Sequence, residues 1–194
     1  MKTFATRKSL YGMVTAAALS MMAVAPAVAQ TTSTTAVVAA GSLNISNVAG
    51  EDFDTDLALT GLRHNATGGS LTFTVTDARG SGAGYSVTAQ ASPFKTAGDL
   101  LLTEDTAPNL LSIGSFTATA VGGDDASQSP APSQVGSSAI LDTGAAAVTI
   151  LSAPADEGMG VYLIDAAALT LVIPGQAEAG SYSSTITLTT VPTV

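Results

Sequence analysis

Apolar and polar residues alternate with a period of two along most of this chain, and the clearest case surrounds a glycine-rich turn. In LTFTVTDARGSGAGYSVTAQ, Leu71, Phe73 and Val75 alternate with Thr72, Thr74 and Thr76, and Tyr85, Val87 and Ala89 alternate with Ser86, Thr88 and Gln90. Such alternation of β-branched and aromatic residues marks strands with one buried face. Between the two runs, Gly80, Gly82 and Gly84 recur at every second position, where the chain can take positive φ at low steric cost. Asp77, at the head of the turn, is placed to bond nearby backbone amides. The pattern predicts a β-hairpin built on this turn.

The same period extends over the rest of the chain. Leu43, Ile45 and Val48 predict a first strand, and Leu57, Leu59 and Leu62 a second around DLALTGL. After the hairpin come short apolar runs at residues 100–102 and 110–113 and an alternating run at 115–121. Residues 122–138 (GGDDASQSPAPSQVGSS) read as loop by composition. Ile140, Val148 and Ile150 mark two more strands, residues 161–164 and 169–173 another two, separated by DAAA, and residues 182–190 the last. No helical period is sustained, and the alanine clusters are too short for more than a turn. Roughly nine to eleven short, mostly antiparallel strands with turn signals between them predict an all-β fold, a single-domain β-sandwich. Its inward face is expected to include Leu71, Phe73, Val75, Tyr85, Val87, Leu171, Ile173, Ile186 and Leu188.

The amino terminus follows a different pattern. Lys2, Arg7 and Lys8 precede an uncharged apolar run, and Ala27-Val28-Ala29 supplies a small-x-small cleavage site. Residues 1–29 therefore read as a secretory signal peptide, with export and a mature start at Gln30 expected. The apolar run is too short for a transmembrane anchor. Residues 30–40 (QTTSTTAVVAA) form a low-complexity arm, read either as a spacer or as a strand able to add to a neighbouring sheet edge, and residues 41–194 form the β domain.

Export changes the charge. Cleavage leaves three basic residues against fifteen acidic ones, a formal charge of −12 instead of the −9 of the whole chain. Nucleic acid is excluded as a partner on that ground. There is no cysteine, so the fold must rest on its core.

Candidate chemistry is sparse. GxGxG followed by a strand is not a phosphate loop, which needs a helix after its glycines. His64 is the one histidine; it sits in GLRHNATGG, which reads as a surface turn, and no triad or zinc pattern accompanies it. Asp52, Asp54 and Asp56 have the alternate spacing of the first three ligands of a calcium loop. Leu57 stands where its glycine belongs and Arg63 where its glutamate belongs, which excludes an EF-hand and leaves a looser calcium site or a solvated acidic loop. No enzyme activity and no cofactor are expected.

The string VTDARGSGAGYSV resembles the first signature of the WxL-domain surface proteins of Gram-positive bacteria, D-x-R-G-x-G-x-G-W-x-hydrophobic. Asp77, Arg79, Gly80, Gly82 and Gly84 match it, and Tyr85 takes the place of the tryptophan, a residue this chain lacks altogether. ILSAPADEGMG, LTLVIP and AGSYSSTITLTTVP resemble the family's closing segments in the same order, with Tyr182 in the A-G-x-Y position and Leu188-Thr189-Thr190 in place of the second WxL motif. The resemblance implies an extracellular cell-surface or cell-wall protein that associates non-covalently with a cell-wall polymer, peptidoglycan in the family, or with companion surface proteins. It implies binding residues at Asp77, Arg79, Gly80, Gly82, Gly84, Tyr85 and Tyr182. No LPxTG sequence is present, so covalent sorting is not expected. The alternative reading is a self-associating extracellular matrix subunit joined by β-strand addition through the arm.

Overall fold

A computed structural model describes residues 35–53, 58–102, 111–122, 129–135, 139–141 and 146–193. The chain divides into two compact units, Met1–Val37 and Val38–Val194. The sandwich belongs to the second; of the first, only residues 35–37 are described, and all three are exposed.

Eleven strands are present among the described residues: β1 (Leu43–Glu51), β2 (His64–Ala66), β3 (Ser70–Asp77), β4 (Tyr85–Ala91), β5 (Leu111–Ile113), β6 (Ala118–Ala120), β7 (Ser133–Gln134), β8 (Ala139–Ile140), β9 (Val148–Ala153), β10 (Gly160–Ile173) and β11 (Ile186–Pro192). They form two antiparallel sheets. One has seven strands, ordered β1-β3-β10-β5-β8, with β2 and β6 also on β10; the other has four, ordered β11-β4-β9-β7. The fold is the all-β sandwich that the alternation predicts.

The core lies between the sheets. Phe73, Val75, Val87, Ile150, Leu151 and Ile164 are fully buried, and Leu71, Tyr85, Tyr162 and Leu171 nearly so. Ile173, Ile186 and Leu188 pack against this core but are only half-buried.

The predicted hairpin is corrected. β3 pairs with β1 and β10, whereas β4 pairs with β11 and β9. The glycine turn therefore carries the chain from one sheet to the other as an arch. Alternation shows which face of each strand is apolar. It does not show whether two apolar rows lie side by side in one sheet or face each other across a core. The length of the connection, residues 78–84, is the sequence sign of the arch, since the tightest hairpins use two residues.

Five further readings change. The second strand is β2 rather than a run through Leu57, Leu59 and Leu62: Leu59 and Leu62 are exposed, and Leu57 lies outside the described residues. His64 consequently stands in a strand, not a turn. The two runs at 161–164 and 169–173 are one long strand, β10, whose register on β3 shifts between Ile164 and Ala167. DAAA is thus a bulge, not a turn. The Thr72 hydroxyl receives the Ala166 amide at 3.0 Å and donates to Asp165 at 3.4 Å, holding Ala166 at φ 46°. The 122–138 segment contains the short strand β7, and the last strand begins at Ile186 rather than Tyr182.

Candidate functional site

The arch is closed by an ion pair. The Arg79 side chain donates from Nε to Asp77 Oδ1 at 2.9 Å and from Nη2 to Asp77 Oδ2 at 2.8 Å, and its backbone amide reaches Oδ1 at 3.1 Å. The same Nη2 donates to the Gly84 carbonyl at 2.8 Å, spanning the arch from its first leg to its last. Bidentate geometry of this kind is the strong form of the carboxylate–guanidinium bond. The Asp77 side chain is buried and that of Arg79 is mostly covered. Bonding from Arg79 holds the Asp77 carboxyl below its usual range, against burial, which opposes ionisation.

Gly80, Gly82 and Gly84 have φ of 66°, 62° and 76°. At Gly84 the conformation is reinforced by space, because a Cβ would strike the Ala153 carbonyl oxygen and come within 2.7 Å of Pro154 C. The loop between β9 and β10 packs against the arch: the Asp156 amide donates to the Gly82 carbonyl at 2.8 Å. Only the crest, Ala78, Gly80 and Ser81, is exposed.

Beneath the arch lies Tyr85. Its ring is 1% exposed, and its Oη has no hydrogen-bond partner among the described residues. Burial pushes the phenol well above the usual tyrosine range. Gly158, at φ 70°, lies so close that a Cβ there would stand 2.9 Å from Tyr85 Cε1. The neighbouring Tyr162 is satisfied instead: it donates to Ser129 O at 2.9 Å. Ser129 in turn accepts from the Met159 amide at 3.1 Å. Sequence reasoning passed over Ser129 and Tyr162, and nothing short of the fold brings positions 129 and 162 together.

Asp77, Arg79, Gly80, Gly82, Gly84 and Tyr85 thus converge at one end of the sandwich, and Tyr182 does not join them. Tyr85 pairs with Pro192 at the start of β4 and Ala91 with Ile186 at its end, and Tyr182 lies beyond that far end. Six strand steps separate the two ends, about 20 Å. Tyr182 donates to the Glu178 carbonyl at 2.9 Å, near a shallow groove lined by Gln90, Ala91, Ser92, Pro93, Thr185 and Thr187. Asp52 is also at that far end, next to Glu51, which pairs with Ser70. Asp54 and Asp56 lie outside the described residues, and with them the geometry of the calcium reading.

Among the described residues, the outer face of the four-stranded sheet is uncharged. On β4, Ser86, Thr88 and Gln90 point outward; opposite them stand Val191, Thr189 and Thr187 of β11, and Ser152 and Thr149 of β9. No helix among the described residues is long and apolar enough to cross a membrane.

These features define an all-β sandwich domain closed at one end by a glycine arch that an Asp–Arg pair latches. The family model described as "WxL domain surface cell wall-binding" matches residues 32–192, and the chain belongs to that family of surface cell-wall-binding domains. No curated protein and no solved structure matches it.

Proposed function

We propose that this chain is a non-catalytic surface module that holds to the cell wall without covalent attachment, either on the wall polymer itself or through companion surface proteins. The observation that carries the reading, beyond family membership, is the outer face of the four-stranded sheet. Hydroxyls, one amide and Val191 occupy it, with no charge, although the chain is strongly acidic. A face of that kind offers donors and acceptors to a glycan's hydroxyls and does not repel a polyanionic wall. The exposed crest of the arch and the groove near Tyr182 supply two further places of contact, at opposite ends.

The arch residues support binding indirectly. Arg79 is engaged by Asp77 and by Gly84 O, and the Tyr85 ring is inside, so these side chains shape the crest and a ligand meets the crest itself.

The test is pull-down on isolated walls across a sodium chloride series. The mature chain, at −12, is repelled by anionic wall polymers, and salt screens that repulsion over ~8 Å near physiological ionic strength. Binding is expected to hold or strengthen as salt rises. A steep fall would mean that a cationic patch carries the attachment, and would overturn the reading. Repetition with calcium and then chelator separates any contribution from Asp52, Asp54 and Asp56.

A further inference from the structure

A sheet edge is a row of unpaired backbone donors and acceptors, and natural proteins blunt such edges with bulges, charges or shortness. Among the described residues six strands pair on one side only: β1, β2, β6, β7, β8 and β11. β7 and β8 are two residues long each, and β2 and β6 three. β1 is longer, but its register shifts between Ser46 and Ala49, and Asn47 sits at φ 52°. β11 has none of these protections: it runs in unbroken register with β4 from Ile186 to Pro192, and its sequence ITLTTVP carries no charge.

The direction of its free groups follows from two hydrogen bonds. Ser92 N donates to Thr185 O at 2.9 Å, and Thr193 N donates to Gly84 O at 3.2 Å. Alternate residues of an antiparallel strand turn their backbone groups to the same side. Thr185, Thr187, Thr189, Val191 and Thr193 therefore face β4, and Ile186, Leu188 and Thr190 direct their N–H and C=O groups to the open side.

The chain also carries a segment of strand-forming composition that belongs to neither sheet. Residues 35–40, TAVVAA, are exposed and outside any strand, and Val37 and Val38 are 91% and 93% exposed. This segment is uncharged and rich in small and β-branched residues. Six residues extend about 20 Å, the length of the open part of β11. Like β11 it carries no charge, so pairing the two buries none.

We propose that the open edge of β11 accepts residues 35–40 of a second copy of this chain as an added strand. Main-chain bonds to Ile186, Leu188 and Thr190 supply the attraction, and the arm's valines cover the half-buried rim of the core beside Ile186 and Leu188. Reciprocal exchange closes a dimer, and head-to-tail exchange builds a chain of copies. The inference is independent of the wall reading, since an association in solution needs no wall.

The experiment is sedimentation velocity of the secreted chain, arm retained, from micromolar to submillimolar concentration at low and high salt. Concentration-dependent association that strengthens with salt is expected, because each copy carries a like charge. The double substitution Val37→Asp with Val38→Asp charges the arm. Thr190→Pro removes one outward N–H of the acceptor edge without touching its pairing to β4. Each should move the midpoint of association to about tenfold higher concentration or beyond, with the melting temperature of the monomer unchanged. Should Thr190→Pro fold poorly, Thr187→Lys with Thr189→Lys charges the same strand from its solvent face and is expected to do the same. A chain that stays monomeric throughout, or an association that both the arm and the edge variants leave intact, overturns the proposal.

Discussion

The end of the sandwich that carries the arch and the end that carries Tyr182 use their polar residues in different ways. At the arch, Asp77 is buried and bidentate with Arg79, Arg79 also spans to Gly84 O, and Asp156 is tied to Gly82 O. At the far end, the Lys95–Asp99 pair is 2.7 Å long but stands in solvent, and the Ser92–Ser184 and His64–Thr60 bonds are exposed as well. An exposed pair gains little because water screens it and the side chains lose freedom to hold it. A buried pair is different: it does not guarantee stability, but removing one partner leaves an uncompensated charge. The arch end should therefore answer sharply to single substitutions, and the far end weakly.

The largest effect is expected at Gly84. An alanine there must hold φ near 76° and push the Ala153 and Pro154 backbone away. Left-handed strain and overpacking together amount to ~2–5 kcal/mol. Gly80→Ala is the internal control, because its φ is similar but nothing lies within 4 Å of the new Cβ, and it should cost ~1 kcal/mol. Denaturant melts of the two variants check the ranking; equal costs would mean that the close approach at Gly84 is unimportant.

Next is the latch. Asp77→Ala leaves Arg79 with only the Gly84 carbonyl and should cost about 3 kcal/mol, the lower part of the range for a broken buried pair, since Arg79 reaches solvent. The side-chain bonds from Arg79 hold the Asp77 carboxyl below the usual aspartate range. A lowered folded-state pKa contributes stability that is present above the unfolded value and lost as pH falls through the folded one. The native chain should thus lose stability on acidification below about pH 4, and Asp77→Ala should lack that component. Parallel acid titrations of the melting temperature check this.

Tyr85→Phe goes the other way. The Tyr85 hydroxyl is buried without a partner among the described residues, and deleting an orphaned polar group of this kind should stabilise by ~1 kcal/mol. Because burial raises the folded-state pKa, the native chain should lose stability as pH rises above ~10, where the unfolded phenol ionises first. Tyr85→Phe should be free of that alkaline loss. A destabilised variant would show that the hydroxyl has a partner in solution.

The same contrast explains what the sequence made legible. Period-two alternation is a local property, and it located the strands flanking the arch and a core containing Phe73, Val75, Tyr85 and Val87. The assignment of β3 and β4 to different sheets is not local, because facing and neighbouring rows have the same alternation. The merger of two runs into β10 depended on a hydroxyl ninety-four positions away, Thr72 bonding Ala166. β2 was misplaced because Leu59 and Leu62 have strand character without burial. At the arch, Asp77, Arg79 and the three glycines lie within eight residues of one another and could be read as a unit. The covering loop with Asp156 and Gly158, and Ser129 beneath it, join them only through the fold.

The smallest effect belongs to the far end, and Tyr182 tests it. Its hydroxyl donates to the Glu178 carbonyl four residues earlier in an exposed setting, and the ring is half-buried against the rim of the core. Water can replace that bond when it is lost, so Tyr182→Phe should change stability by no more than ~0.5 kcal/mol. Wall pull-down on the same variant asks a separate question. Tyr182 lies three residues before Thr185, which lines the groove with Gln90, Ala91, Ser92, Pro93 and Thr187, and its exposed hydroxyl donates to Glu178 O. If the far end contacts a glycan, Tyr182→Phe lowers wall binding while leaving the melt unchanged. If instead Tyr182→Phe costs as much stability as Asp77→Ala, the two ends are not different in kind, and the contrast between a latched end and a solvated one fails.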